Sequence, residues 1–74
     1  MEKKFKVVAE SKIVDMETNV RTMDEAHEIF EKLRDSGSFY KVYIADSETG
    51  ELFRTYDVSR RAGGVMVQEW YTLG

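Results

Sequence analysis

The chain has 74 residues, of which 34% are charged, and its 11 basic residues against 14 acidic ones give a formal net charge of −3. A chain of this length buries only about 60% of the surface that its unfolded form exposes, so the sequence predicts one small domain over residues 1–74 with a marginal core. It has no cysteine, which excludes disulfides, zinc–thiolate sites and cysteine nucleophiles. The mild acidity disfavours a DNA-coating role, because that role needs a strongly basic surface.

The sequence shows no pattern that predicts membrane insertion or export. No apolar run approaches the ~20 residues of a membrane span. In the opening segment MEKKFKVVAES, charge returns too soon for the apolar core of a signal peptide. The lack of cysteine also fits a reducing compartment. We therefore expect a cytoplasmic protein that does not contact a membrane.

Two segments near the start, residues 4–10 and residues 13–21, alternate with a period of two, which predicts strands. The side chains expected on their inner face are Phe5, Val7, Ala9, Val14, Met16 and Val20. We expect the two strands to form a hairpin with a turn near Ser11 and Lys12.

The next segment carries the signals of a helix. Thr22 is followed three residues later by Glu25, a capping box in which each side chain accepts a hydrogen bond from a free backbone N–H at the helix start. The apolar positions that follow have helical spacing and are Met23, Ala26, Ile29, Phe30 and Leu33. Gly37 can adopt the left-handed conformation that ends a helix, so the sequence predicts a helix over residues 23–36.

A second hairpin follows the helix. Residues 39–45 are rich in aromatic and β-branched side chains, Gly50 supplies a turn residue, and residues 51–58 return. The order β-β-α-β-β predicts an α+β fold, with a four-stranded antiparallel sheet and one helix on one face. The C-terminal segment is expected as a fifth strand or as a strap.

The second hairpin has apolar side chains on both faces, more than one helix can cover. If Asp46 pairs with Glu51 around the turn, Phe53 lies on the inner face. The outer face then carries Phe39, Lys41, Tyr43, Leu52, Arg54 and Tyr56. A one-residue shift at a bulge would change these assignments. An apolar surplus of this size predicts an interaction surface unless another part of the protein covers it.

The C-terminal arm, residues 65–74, follows a hinge at Gly63-Gly64. Its alternation sets Val65, Val67 and Tyr71 against Met66 and Trp70, which suits a strand. Two outcomes are open. The arm covers its own sheet, which costs little loop-closure entropy, or it pairs with a second copy in a homodimer.

The sequence predicts neither a metal site nor a catalytic site. Asp24, His27 and Glu31 share one side of the helix, but two carboxylates and one histidine fall short of a defined ligand set. No catalytic or phosphate-loop fingerprint is present, and a small sheet with one helix leaves little room for a pocket of about 300 Å³. We expect no enzymatic activity and no cofactor, and we interpret SRRAGG as a solvated hinge.

The outer sheet face supplies the functional hypothesis. Its candidate partner-binding residues interleave rings with cations and are Phe39, Lys41, Tyr43, Arg54, Tyr56 and Trp70. Such residues anchor protein interfaces, so we expect a protein-interaction module that binds or blocks a partner. Stacking of single-stranded nucleic acid on the same rings is the alternative, and it is disfavoured by the net acidity. The simplest alternative is that Trp70 packs on the outer sheet face of its own chain and that no partner binds there.

The helix also presents an acidic face. Its carboxylates are those of Asp24, Glu28, Glu31 and Asp35. A row of carboxylates can imitate phosphates and occupy a basic protein groove, as small phage-encoded inhibitors of host or defence proteins do. Size and charge make such an inhibitor one specific form of the predicted module.

Overall fold

The computed structural model describes residues 4–61 and 63–71, which form five strands and one helix. The elements are β1 (Phe5–Glu10), β2 (Asp15–Val20), α1 (Met23–Asp35), β3 (Lys41–Asp46), β4 (Leu52–Arg61) and β5 (Gly64–Tyr71). All strand pairs are antiparallel, in the order β2-β1-β3-β4-β5. The predicted α+β class is confirmed, and the fifth strand belongs to the sheet.

The first hairpin forms as predicted, except that the expected inner-face residue Val14 precedes β2 and that Val14 and Met16 are both exposed. Val7 and Ala9 are fully buried on the face that meets the helix, and Val20 lies opposite Phe5 on the same face. The turn extends from Ser11 to Val14. The Ser11 hydroxyl donates to the Val14 carbonyl oxygen at 2.7 Å and accepts from the Val14 N–H at 2.9 Å. One serine thus supplies turn chemistry that the sequence shows only weakly.

Helix α1 begins and ends close to the predicted residues. Thr22 is the N-cap, and its hydroxyl oxygen accepts from the Glu25 N–H at 3.2 Å. The expected reciprocal bond differs, because the Thr22 hydroxyl itself lies 3.2 Å from the Glu25 carboxylate and donates to it. Gly37 follows the helix with a φ of 72°, the left-handed conformation expected of a residue that ends a helix.

The helix packs on three of the five strands. The chain passes from β2 through α1 to β3, which pairs with β1, so the helix lies across β1, β2 and β3. Phe30 is fully buried at the centre of the core. The other buried members of this cluster are Val7, Ala9, Val20, Ala26, Val42 and Ile44. Strands β4 and β5 extend the sheet beyond the main contact of the helix.

The turn of the second hairpin is the predicted one. The Asp46 N–H donates to the Glu51 carbonyl oxygen at 2.8 Å, and Gly50 has a φ of 80°. The Asp46 carboxylate accepts from the N–H groups of Glu48 at 2.8 Å and Thr49 at 2.9 Å. The backbone N–H groups of Thr49 and Glu48 favour the ionised carboxylate and lower the pKa of Asp46 below its ordinary value.

A β-bulge after this turn corrects the predicted outer face. Ala45 pairs with Leu52, but Ile44 pairs with Arg54, so Phe53 is an extra residue in β4. From the bulge onward, side chains change face relative to the expected register. The prediction that Arg54 and Tyr56 lie on the outer face is therefore wrong, because both lie on the helix side, opposite Ile44 and Val42.

Phe53 lies where the sequence places it, on the helix side. Its ring meets the ring of Phe5 edge to face, with the ring centres 5.6 Å apart, and both side chains pack against the core. Edge-to-face pairs of this kind add to the stability that comes from burial. The bulge thus keeps Phe53 and its successor Arg54 both in contact with the helix layer.

Strand β5 settles where the C-terminal segment lies up to Tyr71. It pairs with β4 along its full length, from Arg61 opposite Gly64 to Arg54 opposite Tyr71. Gly64 has a φ of 127°, which only glycine adopts readily at a tight reversal. Within the described residues the segment is an edge strand rather than a strap across the outer face, and residues 72–74 of the expected arm lie outside the described residues.

Helix α1 has 13 residues, and no helix in the described part of the chain combines the length and hydropathy needed to cross a membrane.

The Asp46 turn predicts a pH-dependent contribution to stability. Because the pKa of Asp46 is lower in the folded chain than the ordinary value of about 3.9, its carboxylate stabilises the fold above that pH. This contribution disappears as the pH falls through the lowered value. We expect Asp46→Asn to lower the melting temperature at pH 7 and to match the parent chain near pH 2, as followed by circular dichroism. Glu48→Gln removes a charge from the same turn and is the control, and an equal Asp46→Asn deficit at both pH values would contradict the account.

Candidate protein-interaction surface

The predicted partner-binding residues are divided between the two faces of the sheet. Lys41, Tyr43 and Trp70 lie on the outer face, where Thr55 stands between Tyr43 and Trp70 in one row across three strands. The Lys41 ammonium lies 5.7 Å from the centre of the Tyr43 ring. The structure therefore brings three of the six residues together.

The other three lie on the helix side. Arg54 and Tyr56 face the helix layer because of the bulge. Phe39 precedes β3, which begins at Lys41, so the alternation of the strand does not extend to it. Phe39 and Tyr56 both pack against the core. The expectation that all six residues share one platform is therefore wrong.

The outer face carries charged side chains beside its aromatic ones. By the register, its charged side chains are those of Lys6, Glu10, Asp15, Glu17, Lys41 and Asp57. Burial raises the pKa of Tyr43, and the carboxylates of Glu10, Glu17 and Asp15 raise it further. Among the described side chains at these strand positions, four carboxylates outnumber two ammonium groups, which disfavours the binding of phosphates.

Arg54 is the centre of a cluster between the helix and the last two strands. Its guanidinium carbon lies 4.2 Å from the centre of the Phe30 ring and 5.3 Å from that of Tyr71. Only 14% of the side chain is exposed. A cation placed against two rings in this way gains from the negative ring faces without full hydration.

The same guanidinium contacts two polar side chains of α1. Arg54 Nη1 lies 3.0 Å from His27 Nδ1 and 3.4 Å from Glu31 Oε2. A guanidinium can only donate, so Nδ1 is the acceptor in this contact, and the other ring nitrogen is Nε2. That nitrogen lies 3.4 Å from the Tyr71 hydroxyl, and the two rings are stacked with centres 5.2 Å apart.

His27 is thus engaged with an arginine and a tyrosine rather than with two carboxylates. Among the described residues, no group of three His, Asp or Glu side chains is placed to hold a metal ion. The side chains of α1 that face β4 and β5 are His27, Phe30, Glu31 and Arg34. Their i, i+3, i+4, i+7 spacing is visible in the sequence, but it identifies a cluster only once Arg54 is known to lie on the helix side.

A second contact ties β5 to the helix. Arg34 Nη1 lies 3.3 Å from Glu69 Oε1, and Arg34 Nε donates to Asp35 Oδ1 at 3.1 Å. The carboxylates of Asp35 and Glu69 raise the pKa of Arg34. Together with the Tyr71 contact, this pair holds the C-terminal half of β5 on the side of the helix.

The acidic helix face is largely paired with cations. Glu28 lies 3.7 Å from Lys32, Glu31 lies 3.4 Å from Arg54, and Asp35 contacts Arg34. Asp24 is exposed in the first turn, where the helix dipole favours an acid. Most of the predicted carboxylate row therefore has a local structural partner, which weakens its resemblance to a row of phosphates.

Strand β5 presents several apolar side chains that the fold leaves exposed. Its exposed fractions are 63% for Val65, 40% for Met66, 54% for Val67, 49% for Trp70 and 51% for Tyr71. All eight of its residues are exposed, and it is an edge of the sheet with β4 on one side. A long apolar edge strand of this kind is a template for pairing with another chain.

The opposite edge of the sheet differs in charge. Strand β2 has six residues, and the exposed Asp15 and Glu17 lie on it. In β5 the single charged side chain, Glu69, already contacts Arg34. Charged edge strands resist pairing, so the two edges are not equivalent and β5 is the edge suited to a partner.

A groove of about 780 Å³ lies beside the turn of the first hairpin. It is larger than the pocket that the sequence leads us to expect. It runs between the Ser11–Ile13 turn, residues 37–40 and β4. Its lining includes Lys12 but no histidine or carboxylate.

No protein-family model, curated protein or solved structure matches this chain.

The Arg54 cluster predicts a specific loss of stability. We expect Arg54→Ala to lower the free energy of unfolding by about 2 kcal/mol, because the cation–ring contacts vanish and polar atoms of His27 and Glu31 lose their partner. Arg54→Lys, which retains the charge without the planar group, should fall in between. Urea unfolding measures both, with the exposed Arg21→Ala as control. Equal losses for Arg54→Ala and Arg21→Ala would contradict this role.

Proposed function

We propose that the chain is a non-enzymatic protein-interaction module, which binds or blocks a partner protein by accepting a strand at the free edge of β5. The observation that carries the proposal is the exposure of β5, an eight-residue apolar strand that is paired on one side. Strand addition obtains affinity from main-chain hydrogen bonds and specificity from alternate side chains.

The direction of the main-chain groups supports this proposal. The Val58 N–H donates to the Tyr40 carbonyl oxygen at 2.8 Å, so Val58 directs its main-chain groups toward β3 and its neighbour Asp57 toward β5. Gln68, opposite Asp57, therefore directs its groups toward β4. The residues whose N–H and C=O groups point away from the sheet are Val65, Val67, Glu69 and Tyr71.

The side chains of β5 provide the anchors for such a partner. Trp70 and Met66 lie on the outer face, and Val65, Val67 and Tyr71 lie on the helix side. Aromatic side chains and methionine are enriched at protein interfaces. The carboxylates of the outer face favour a protein partner over single-stranded nucleic acid, since nucleic-acid affinity depends on phosphate neutralisation.

Photocrosslinking tests the proposal in the cells that make this protein. A photoreactive residue at Val67, on the β5 edge, should form a discrete adduct with a protein. The same group at Asn19, on the β2 edge, should not, because that edge is acidic. Absence of any adduct from position 67, or the same adducts from both positions, would contradict the proposal.

The nucleic-acid alternative has its own readout in purified protein. Trp70 is the single tryptophan of the chain, so its fluorescence reports binding at the outer face. We expect a single-stranded oligonucleotide at low salt to leave this fluorescence unchanged. Quenching that weakens steeply with salt would instead support nucleic-acid binding.

A further inference from the structure

We infer that the strand accepted by β5 is the β5 strand of a second copy of this chain, paired antiparallel about a two-fold axis at Gln68. This inference rests on the proposed function and names its partner. The two sheets would join into one continuous sheet of twice five strands. The evidence is the self-complementarity of the β5 edge in one register.

Symmetry restricts the registers that two β5 strands can adopt. An antiparallel pair related by a two-fold axis has that axis perpendicular to the sheet, so both helices lie on the same side. Residues that face each other must then come from the same face of their strands. The outward-directed residues Val65, Val67, Glu69 and Tyr71 must also face one another. Both conditions hold only when one residue lies directly opposite its own copy, with the axis midway between the two. They fail when the axis falls between two successive pairs of residues.

Among these registers, the one centred on Gln68 matches apolar side chains to each other. It sets Val65 opposite Tyr71 of the second copy and Met66 opposite Trp70 of the second copy. Aromatic rings opposite aliphatic or thioether groups are favourable cross-strand pairs. The four side chains are each 40–63% exposed in the single chain, so the pairing would shield part of each of them from water.

In the neighbouring registers, the charges and the side-chain contacts across the interface are less favourable. An axis at Glu69 places two carboxylates directly opposite each other, which is destabilising. An axis at Val67 sets Trp70 opposite Gly64 and leaves Tyr71 without a partner. In the Gln68 register, Glu69 meets Val67 of the second copy and keeps its contact with Arg34, and the two Gln68 amides meet on the axis.

The first test is a disulfide that forms only in this register. Gln68 directs its main-chain groups toward β4, so the two Gln68 residues form a non-hydrogen-bonded pair with Cα atoms about 4.5 Å apart, a distance that a disulfide spans. The chain has no cysteine. We expect Gln68→Cys to give a covalent dimer under mild oxidation roughly tenfold or more faster than Asn19→Cys on the opposite edge. Equal rates would overturn the inference.

The second test is a matched pair of charges at Val67. In this register Val67 faces Glu69 of the second copy, so Val67→Glu sets like charges opposite each other twice. Val67→Lys sets opposite charges there instead. Light scattering should give twice the mass of one chain for the parent and for Val67→Lys, and the mass of one chain for Val67→Glu. Circular dichroism confirms that both variants fold.

The outcomes separate this inference from the proposed function. A parent chain with the mass of a monomer at all concentrations overturns self-pairing, and so does identical behaviour of the two Val67 variants. An adduct from position 67 with a different protein would then leave the proposed function standing with another partner. Absence of any adduct from position 67, together with a monomer mass, contradicts both.

Discussion

The β-bulge at Phe53 decides which face of the sheet is occupied by every later side chain. Without the extra residue, Arg54 and Tyr56 would point away from the helix. With it, the guanidinium of Arg54 lies against Phe30 and contacts His27. Because Tyr71 pairs with Arg54, the same bulge places the Tyr71 ring on the helix side. One inserted residue thus links the core, the last hairpin and the exposed strand.

A 13-residue helix cannot cover a five-stranded sheet. Long side chains, rather than further helical residues, connect α1 to the last two strands. Arg54 and Arg34 connect the helix to β4 and β5 through rings and carboxylates. These contacts fix the position of β5 but bury little of its apolar surface. Polar anchoring and apolar exposure therefore coexist in one strand, which distinguishes β5 from a loose terminal segment.

Features that depend on adjacent residues could be predicted from the sequence. Thr22 and Gly37 mark the ends of the helix, and the period-two alternation gives the first hairpin. A bulge near this turn could be anticipated from the sequence, but its effect on the register could not. The residue that it inserts, Phe53, packs against Phe5, which lies 48 positions away along the chain. Phe39 was misplaced because the alternation of β3 begins only at Lys41. The sequence places the apolar surplus on the second hairpin and assigns the C-terminal arm to covering it, whereas in the structure the apolar side chains of β5 are themselves exposed.

The difference between the two edges of the sheet also limits how far an assembly can grow. In a two-fold pair joined through β5, both outer boundaries of the combined sheet are β2. Each boundary carries Asp15 and Glu17, so a third chain would meet like charges and no apolar strand. Isologous contacts of this kind close on themselves, whereas head-to-tail contacts propagate into fibres. In such a pair, the acidic β2 strands would end the combined sheet on both sides, so strand pairing would stop at two chains.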